Sequence, residues 1–228
     1  MAVGTTLGQL VQLFRDEAGM ASTAAMSQNT LEAIKTTLRR TQDVLYTDWD
    51  WPHLRIERDE ALQEKERYYS FPPDLDHMRI EACYCREDAE SDWQAVNYGI
   101  SFGMRNDSDA EQGDTRDPVE AWQYYEDGQY EVWPMPDTNN GVLRFVGIRK
   151  CPPLVADADR AVLDDRLIVL YAAGQWLQRQ KDPSAQIVLN LAEAHFRRIK
   201  GNSQRAKVWP SASIPQRWVP ITVKAPGT

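Results

Sequence analysis

Two cysteines and a histidine lie close enough in the sequence to suggest metal binding. His77, Cys83 and Cys85 have the right side chains. A structural zinc site, however, needs ligands in closely spaced pairs, and Cys151 would have to be recruited from far along the chain. The pattern favours buried free thiols on a strand. We therefore predict no metal site here.

A carboxylate cluster beside the same histidine could provide a general acid and base. Asp74, Asp76 and His77 are close in sequence, but Phe71-Pro72-Pro73-Asp74-Leu75 is more typical of a turn that leaves a strand. A second acidic group could bind a divalent cation through Asp157, Asp159, Asp164 and Asp165. Its position before a helical pattern favours helix capping and interaction with the helix dipole.

Known catalytic signatures are missing from the sequence. It contains no Gly-x-Ser-x-Gly elbow, phosphate-binding loop or dinucleotide fingerprint, and His53, His77 and His195 lack a catalytic context. We predict a protein that is not an enzyme and uses no cofactor. A hydrolase built on Asp74, Asp76 and His77 is the weakest alternative.

The clearest periodic signal predicts two antiparallel helices between about 159 and 200. Apolar residues three and four positions apart predict one face of the first helix: Leu163, Leu167, Leu170, Tyr171, Gly174 and Leu177. Asp182 and Pro183 suit the start of the second helix, and Gly201 suits its end. The stripe of this second helix is predicted to be Ile187, Val188, Leu191, Phe196 and Ile199.

Two more helices are predicted near the N-terminus. Thr6-Leu7-Gly8-Gln9 is a capping box for a helix that ends near Gly19. Asn29-Thr30-Leu31-Glu32 is a second capping box, for a helix that reaches about Tyr46. Pro52 prevents Trp51 from being helical, so a tryptophan-rich junction follows.

Between residues 54 and 150 the pattern changes to short alternating runs, which predict strands. Candidate strands are 55–57, 67–71, 78–85 and 93–98. Residues 130–133 and 142–148 are predicted to form a hairpin across Asn139-Asn140-Gly141. Residues 106–118 are rich in Asp, Ser and Gly and predict a mobile surface loop.

The order of helices, strands and helices predicts an α+β fold. N-terminal helices in 1–52 and a C-terminal helical hairpin in 154–201 form a helical bundle. A mainly antiparallel β-domain is inserted at 53–153, with the mobile loop at about 103–118. An extended docking arm follows at 202–228.

Charge is distributed unevenly along the chain. The net charge is −8, yet seven basic residues lie after residue 196 and no acidic residue follows Glu193, so residues 1–196 carry −15. The final segment also contains large apolar side chains between repeated prolines, unlike an ordinary disordered tail. We expect it to dock through Arg205, Lys207, Trp209, Ile214, Arg217, Trp218 and Ile221.

Three interpretations of this arm remain open. It could be a solvated terminus, it could dock on an acidic protein surface, or it could bind nucleic acid by neutralising phosphates and stacking its tryptophans on bases. The last interpretation defines our alternative function, a nucleic-acid-binding accessory protein.

The ordered set of features resembles the head-to-tail adaptor, or connector, proteins of short-tailed bacteriophages. The resemblance rests on a helix that leads to Trp49, Trp51 and Pro52, and on a Pro-Asp-Leu turn at 73–75. It continues with Trp133-Pro134-Met135-Pro136, a strand closed by Pro152-Pro153, two amphipathic helices and an extended C-terminus. Trp49, Trp51, Pro52, Trp133 and Pro134 are the predicted structural junction.

The resemblance implies a virion protein, synthesised in the host cytoplasm, at the interface between head and tail. Its expected partners are the portal ring, the tail nozzle and further copies of itself in a typically twelvefold ring. DNA is expected only as transiting cargo, and no membrane is involved.

Overall fold

A computed structural model describes residues 3–20 and 26–204, and it confirms the α+β fold with helices at both ends. The helices of the bundle are α1 (Leu7–Glu17), α2 (Gln28–Asp48), α4 (Asp165–Arg179) and α5 (Ala185–Gln204), and α3 (Phe102–Asp107) lies within the β-rich part. The strands are β1 (Arg55–Ala61), β2 (Tyr68–Ser70), β3 (Leu75–Arg86), β4 (Gln94–Ala95), β5 (Asn97–Tyr98), β6 (Ala121–Tyr124), β7 (Gln129–Trp133) and β8 (Val142–Arg149).

Helix α4 is the centre of the bundle, because α1, α2 and α5 all pack against it. Its run of consecutive buried residues, from Leu167 to Leu170, shows that it is apolar on several sides. The prediction of a single buried face was therefore too narrow. The helix also begins later than expected: the Asp164 carboxylate accepts a hydrogen bond from the Leu167 amide at 2.9 Å. Asp159 instead accepts from the amides of Val155 and Ala156 in the preceding turn.

Helix α5 packs closely on α4, since Gly174 leaves room for the Leu189 side chain. Its buried face is made by Ala185, Val188, Ala192 and Ile199, with Phe196 packed against the core. Two residues of the predicted stripe were wrong, because Ile187 and Leu191 are 64% and 50% exposed. The predicted stop at Gly201 was also wrong, since α5 continues to Gln204.

The starts of the other helices follow local capping chemistry. The Thr6–Gln9 capping box of α1 is confirmed, with both reciprocal hydrogen bonds present. Helix α2 begins two residues earlier than predicted, because the Ser27 hydroxyl accepts from the Thr30 amide. Asp182 accepts from the Ser184 amide at 2.8 Å, in the turn before α5. The prediction that Pro183 is the first helical residue was wrong, because α5 begins at Ala185.

The strands form two four-stranded sheets, in the orders β1-β8-β3-β4 and β2-β7-β6-β5. Every strand pairing is antiparallel except that of β5 with β6. The predicted hairpin was wrong, because β7 and β8 belong to different sheets. Asn140 and Gly141 do not adopt positive φ. The Gly141 carbonyl accepts from Leu62, and the Asn139 side chain accepts from Glu64, so this segment pairs with the connection after β1.

The segment predicted as a mobile loop contains secondary structure. Residues 102–107 form α3, whose start is capped by the Ser101 hydroxyl. The next residues are tied to β7 and the residues after it, through Ser108 and a bridge between Thr115 and Met135. The expectation of an unstructured loop was therefore wrong for its first part.

Candidate functional site: partner-binding surfaces

The arm residues predicted to bind partners lie outside the described residues. This applies to Arg205, Lys207, Trp209, Ile214, Arg217, Trp218 and Ile221. Residues 202–204, which we assigned to the arm, are the last residues of α5. The point from which the arm departs is therefore the end of a long helix.

The tryptophan-rich junction joins the bundle to the β-rich part. Trp51 is 1% exposed, and its indole N–H donates to the Leu45 carbonyl at 2.9 Å. Its ring stacks on Phe196 of α5, with 6.0 Å between centroids. Trp49 contacts the same two rings at 4.7 and 6.0 Å. The end of α2 is thus fixed against α5 by an aromatic cluster.

Strand β3 is bonded directly to the same junction. The Arg79 guanidinium donates to the carbonyls of Tyr46 at 2.8 Å and Trp49 at 3.2 Å, and it forms an ion pair with Asp50. The Tyr46 hydroxyl donates back to Asp76 at 2.7 Å. Carbonyls left free at the end of α2 therefore receive hydrogen bonds from a strand, which couples the helical and β-rich parts.

Trp133 and Pro134, the other predicted junction residues, lie in a different place. The Trp133 indole N–H donates to the Ser108 carbonyl at 3.1 Å, and the Arg116 guanidinium lies over its ring at 5.2 Å. Trp133 therefore secures the segment after α3 to β7, whereas Trp49 and Trp51 pack against α5 of the bundle. The structure does not unite the five residues in one junction.

A buried carboxylate holds α3 against the second sheet. Glu131 on β7 is 2% exposed and accepts hydrogen bonds from Arg67, Arg105 and Gln123 at 2.7 to 2.9 Å. Burial alone would raise the pKa of Glu131, but the hydrogen bonds from Arg105 and Arg67 outweigh it and lower this pKa. The ionised form of Glu131 is therefore part of the folded structure.

A cleft of about 700 Å³ lies between the two sheets. Strand β3 provides one wall, and β5 and β6 provide the other. Exposed apolar side chains surround it: Met78 is 80% exposed, Tyr98 69% and Tyr124 44%. We call this feature the inter-sheet cleft, and its residues are His77, Met78, Ile80, Glu81, Ala82, Cys83, Val96, Asn97, Tyr98, Trp122 and Tyr124.

Sequence reasoning missed this cleft as a unit. The excess of Tyr and Trp indicated a surface that binds a partner, but it did not indicate which residues share a face. Tyr98 and Trp122 meet because β5 pairs with β6 in parallel, and the two residues lie opposite each other in the register. Such a pairing has no local sequence signal.

The candidate acid and base residues are dispersed. Asp74 accepts from the Arg58 guanidinium at 3.0 Å, and Asp76 accepts from Tyr46. The His77 ring stacks between Phe71 and Tyr124 at 5.8 and 5.6 Å. The turn and stacking contacts give each residue a structural partner, and they bring no nucleophile or proton relay together.

The candidate metal ligands are dispersed in the same way. Cys83 and Cys85 are buried, and burial raises the pKa of the Cys85 thiol to about 11. Asp157 pairs with Lys35 at 2.7 Å, and Asp164 is bonded to the His195 ring at 2.9 Å. In the described part of the chain, no three His, Cys, Asp or Glu residues group as a metal site.

Within residues 3–20 and 26–204, no helix is both long enough and apolar enough to span a membrane.

These features define an α+β protein with a helical frame, a β-rich part bonded to it, and an exposed aromatic cleft. The chain belongs to the SU10 adaptor protein family, which it matches over residues 5–216. This match confirms the resemblance to phage head-to-tail adaptors. A search of the curated proteins gives no match.

Proposed function

We propose that the protein is a structural head-to-tail connector of a phage virion, forming a ring between the portal and the tail nozzle through which DNA passes. The family match carries this proposal, because it covers the bundle, the β-rich part and the first half of the arm. As in the adaptors it resembles, we expect a twelvefold ring without catalytic activity.

The charge distribution suits a channel that DNA must pass without being held. Residues 1–196 carry −15, and a ring multiplies this charge around its axis. Like charges repel the phosphates of DNA, which lowers affinity for the duplex. The body therefore has the sign expected of a conduit.

The C-terminal arm supplies the opposite sign and is proposed to join the portal or a neighbouring subunit. Arg205, Lys207, Arg217 and Lys224 are attracted to acidic surfaces, and Trp209 and Trp218 are suitable anchors. Each tryptophan would contribute about 2 kcal/mol or more if it becomes fully buried. Repetition around a ring makes such a joint very slow to dissociate.

The deciding experiment mixes the full chain with the portal ring encoded by the same genome. Native mass measurement and negative-stain imaging should show a ring-on-ring complex of fixed stoichiometry. Deleting residues 205–228, which leaves α5 intact, should abolish the complex. A chain that stays monomeric and ignores the portal would refute the connector proposal.

A matched pair of full-length variants isolates the arm's anchors. Trp209→Ala with Trp218→Ala should lose portal binding, because the proposed anchors are removed. Ser211→Ala with Ser213→Ala changes two small residues in the same segment and should bind normally. Equal binding by both variants would contradict the role given to the tryptophans.

The alternative function, a nucleic-acid-binding accessory protein, is supported by the basic end of the chain. It predicts tight DNA binding that weakens steeply as salt increases, through Arg205, Lys207 and Arg217. A connector should bind DNA weakly at physiological salt. A salt titration with a labelled duplex therefore separates the two functions.

A further inference from the structure

The inter-sheet cleft lies between two sheet edges that have few backbone partners. Strand β3 pairs with β8 on one side. On its other side, the described residues pair with β4 at Tyr84 and Cys85, and the Cys83 carbonyl accepts from the Val96 amide at 2.9 Å, so the edge before Cys83 is open. On the opposite wall, β5 is the outer strand of the second sheet. Edges of this kind are where an extended segment can add to a sheet.

The orientation of the β5 backbone supports this use of the edge. The amides of Asn97 and Gly99 donate to the β6 region, at the carbonyls of Glu120 and Trp122. Because backbone groups alternate along a strand, the N–H and C=O of Tyr98 between them face away from β6. They are available to a chain that enters the cleft.

The side chains around the cleft are also suited to an apolar segment. Met78, Tyr98 and Tyr124 are the exposed ones, and Trp122 lies beneath Tyr98 with 4.9 Å between ring centroids. A volume of about 700 Å³ is within the usual range of ligand sites, about 300–1,000 Å³. Several side chains of one segment could therefore bind together.

The end of α5 is close to this part of the molecule. The Lys200 ammonium lies 5.9 Å from the centroid of Trp49, whose carbonyl accepts from Arg79 at 3.2 Å. Arg79 lies between Met78 and Ile80, which line the cleft. From Gln204, the five residues to Trp209 can span about 17 Å and the fourteen to Trp218 about 46 Å. The longer span allows Trp218 to reach the cleft of its own chain.

The composition of residues 205–228 is suited to an apolar sheet edge on an acidic body. The segment has no acidic residue and carries four basic ones, against −15 on residues 1–196. Prolines at 210, 215 and 220 separate short runs that include Trp218 and the β-branched pair Ile221 and Val223. Proline is tolerated in a strand at a sheet edge, whereas it disrupts a central one.

We infer that the inter-sheet cleft holds the C-terminal segment 205–228 of the same chain before a partner is bound. The segment lies along the open edges of β3 and β5 and places apolar side chains among Met78, Tyr98 and Tyr124. The next step rests on the connector function proposed above. The portal must displace the arm from the cleft before the arm can bind to the portal.

Photocrosslinking of the full-length protein tests this contact directly. A photoreactive phenylalanine analogue replaces Tyr98, and the crosslinked peptides are identified by mass spectrometry. Crosslinks to residues 205–228 are expected. The same analogue at Val44, which is 48% exposed on α2, is the matched control and should not reach the arm. Tyr98 crosslinks without arm peptides would overturn the inference.

Isotope mixing identifies the chain that supplies the arm. Equal amounts of labelled and unlabelled protein are combined before irradiation, and the inference expects each crosslink to join peptides of one isotope. Crosslinks of mixed isotope would assign the cleft to the arm of a second copy and overturn the intrachain arrangement.

Limited digestion with trypsin supplies an independent measurement. The cleavage rate is proportional to the fraction of molecules whose arm is undocked. An arm that is docked about nine-tenths of the time is therefore cut about tenfold more slowly than a free one. Met78→Asn with Tyr98→Asn removes apolar surface from the cleft at exposed positions and adds no charge, so circular dichroism should not change. Release of peptides from residues 205–228 should then be about tenfold faster.

Equal digestion rates for this variant and the unaltered protein would overturn the inference. Neither measurement uses the portal, so a failure here is distinct from a failure of the ring-on-ring experiment. A protein whose arm is released from the cleft but still joins the portal would leave the connector function intact.

Discussion

The helical bundle and the β-rich part are held together by different kinds of interaction. The bundle has a mainly aliphatic core of Leu, Ile, Val and Ala around α4, and it also buries Arg15, Asp164 and Asp165. The β-rich part has an aromatic core around Tyr130 and Phe145, a buried ion-pair network at Glu131 and an open cleft. Its outer surface has the exposed aromatic side chains that the bundle lacks.

This difference indicates a division of roles. Close packing of small and aliphatic residues produces a stiff frame. Aromatic rings and ion pairs at a sheet edge instead provide a surface that can exchange partners. We expect the bundle to determine stability and the β-rich part to determine binding.

The largest expected effect is at the place where the two parts meet. Trp51→Ala should lower the free energy of unfolding by about 3–5 kcal/mol, because it leaves a cavity against Phe196 and removes the bond to the Leu45 carbonyl. Urea unfolding followed by circular dichroism measures this change. Trp51→Phe keeps a ring in the site and should lose less. A loss below about 1 kcal/mol for Trp51→Ala would show that the junction is not a main source of stability.

A smaller effect is expected at Glu131, where the β-rich part relies on charge. Glu131→Gln keeps the shape but removes the charge that Arg67 and Arg105 share, at a cost of about 2–3 kcal/mol. These arginine side chains are 19% and 30% exposed, so water lessens the penalty. Urea unfolding at neutral pH measures it.

Acid should have a related effect through the same carboxylate. The pKa of Glu131 in the folded protein is below its ordinary value of 4.5. The stability that its charge contributes is therefore fully present at pH values above 4.5. It is lost as pH falls through the folded pKa. Glu131→Gln should therefore lose less stability than the unaltered protein between neutral pH and pH values below 4.5. Identical acid profiles would contradict this role.

The smallest effects are expected from two glycine-to-alanine substitutions, one in the β-rich part and one in the bundle. In Gly147→Ala the new Cβ would lie 2.8 Å from the Arg79 carbonyl oxygen, a backbone atom of β3. We expect a loss of about 2 kcal/mol from this overpacking. In Gly174→Ala the nearest atom, at 2.6 Å, is the end of the Leu189 side chain. That side chain can move, and alanine favours a helix by about 1 kcal/mol.

Thermal and urea unfolding of the two glycine variants should therefore rank Gly147→Ala as the more damaging. The opposite order would mean that the bundle tolerates added volume less well than the junction between β3 and β8.

The sequence predicted the helices better than the sheets because helical signals are local. The Thr6–Gln9 capping box involves residues three positions apart, and it is confirmed. The α+β order and the family resemblance were also predicted correctly. By contrast, the hairpin between β7 and β8 was wrong because each strand has partners from distant parts of the chain.

Burial on α5 was mispredicted for a related reason. Ile187 and Leu191 are apolar, but the face toward α4 is selected by the small residues Ala192 and Gly174, which allow close approach. Periodicity identifies apolar positions without showing which of them have a neighbour. The arm residues 205–221 remain predicted partner contacts, and the inter-sheet cleft depended on a parallel pairing that no spacing rule predicts.

The connection between the first helix and the last third of the chain has a consequence for synthesis on the ribosome. Leu7 donates its amide to the Asp159 carbonyl, and Thr6 bridges to Arg160. Helices α1 and α2 end 148 and 117 residues before the start of α4, the helix they pack on. At ordinary elongation rates this is a delay of roughly 6–30 seconds. Their apolar faces must wait for that helix, so nascent chains are the stage at which this protein most needs protection from aggregation.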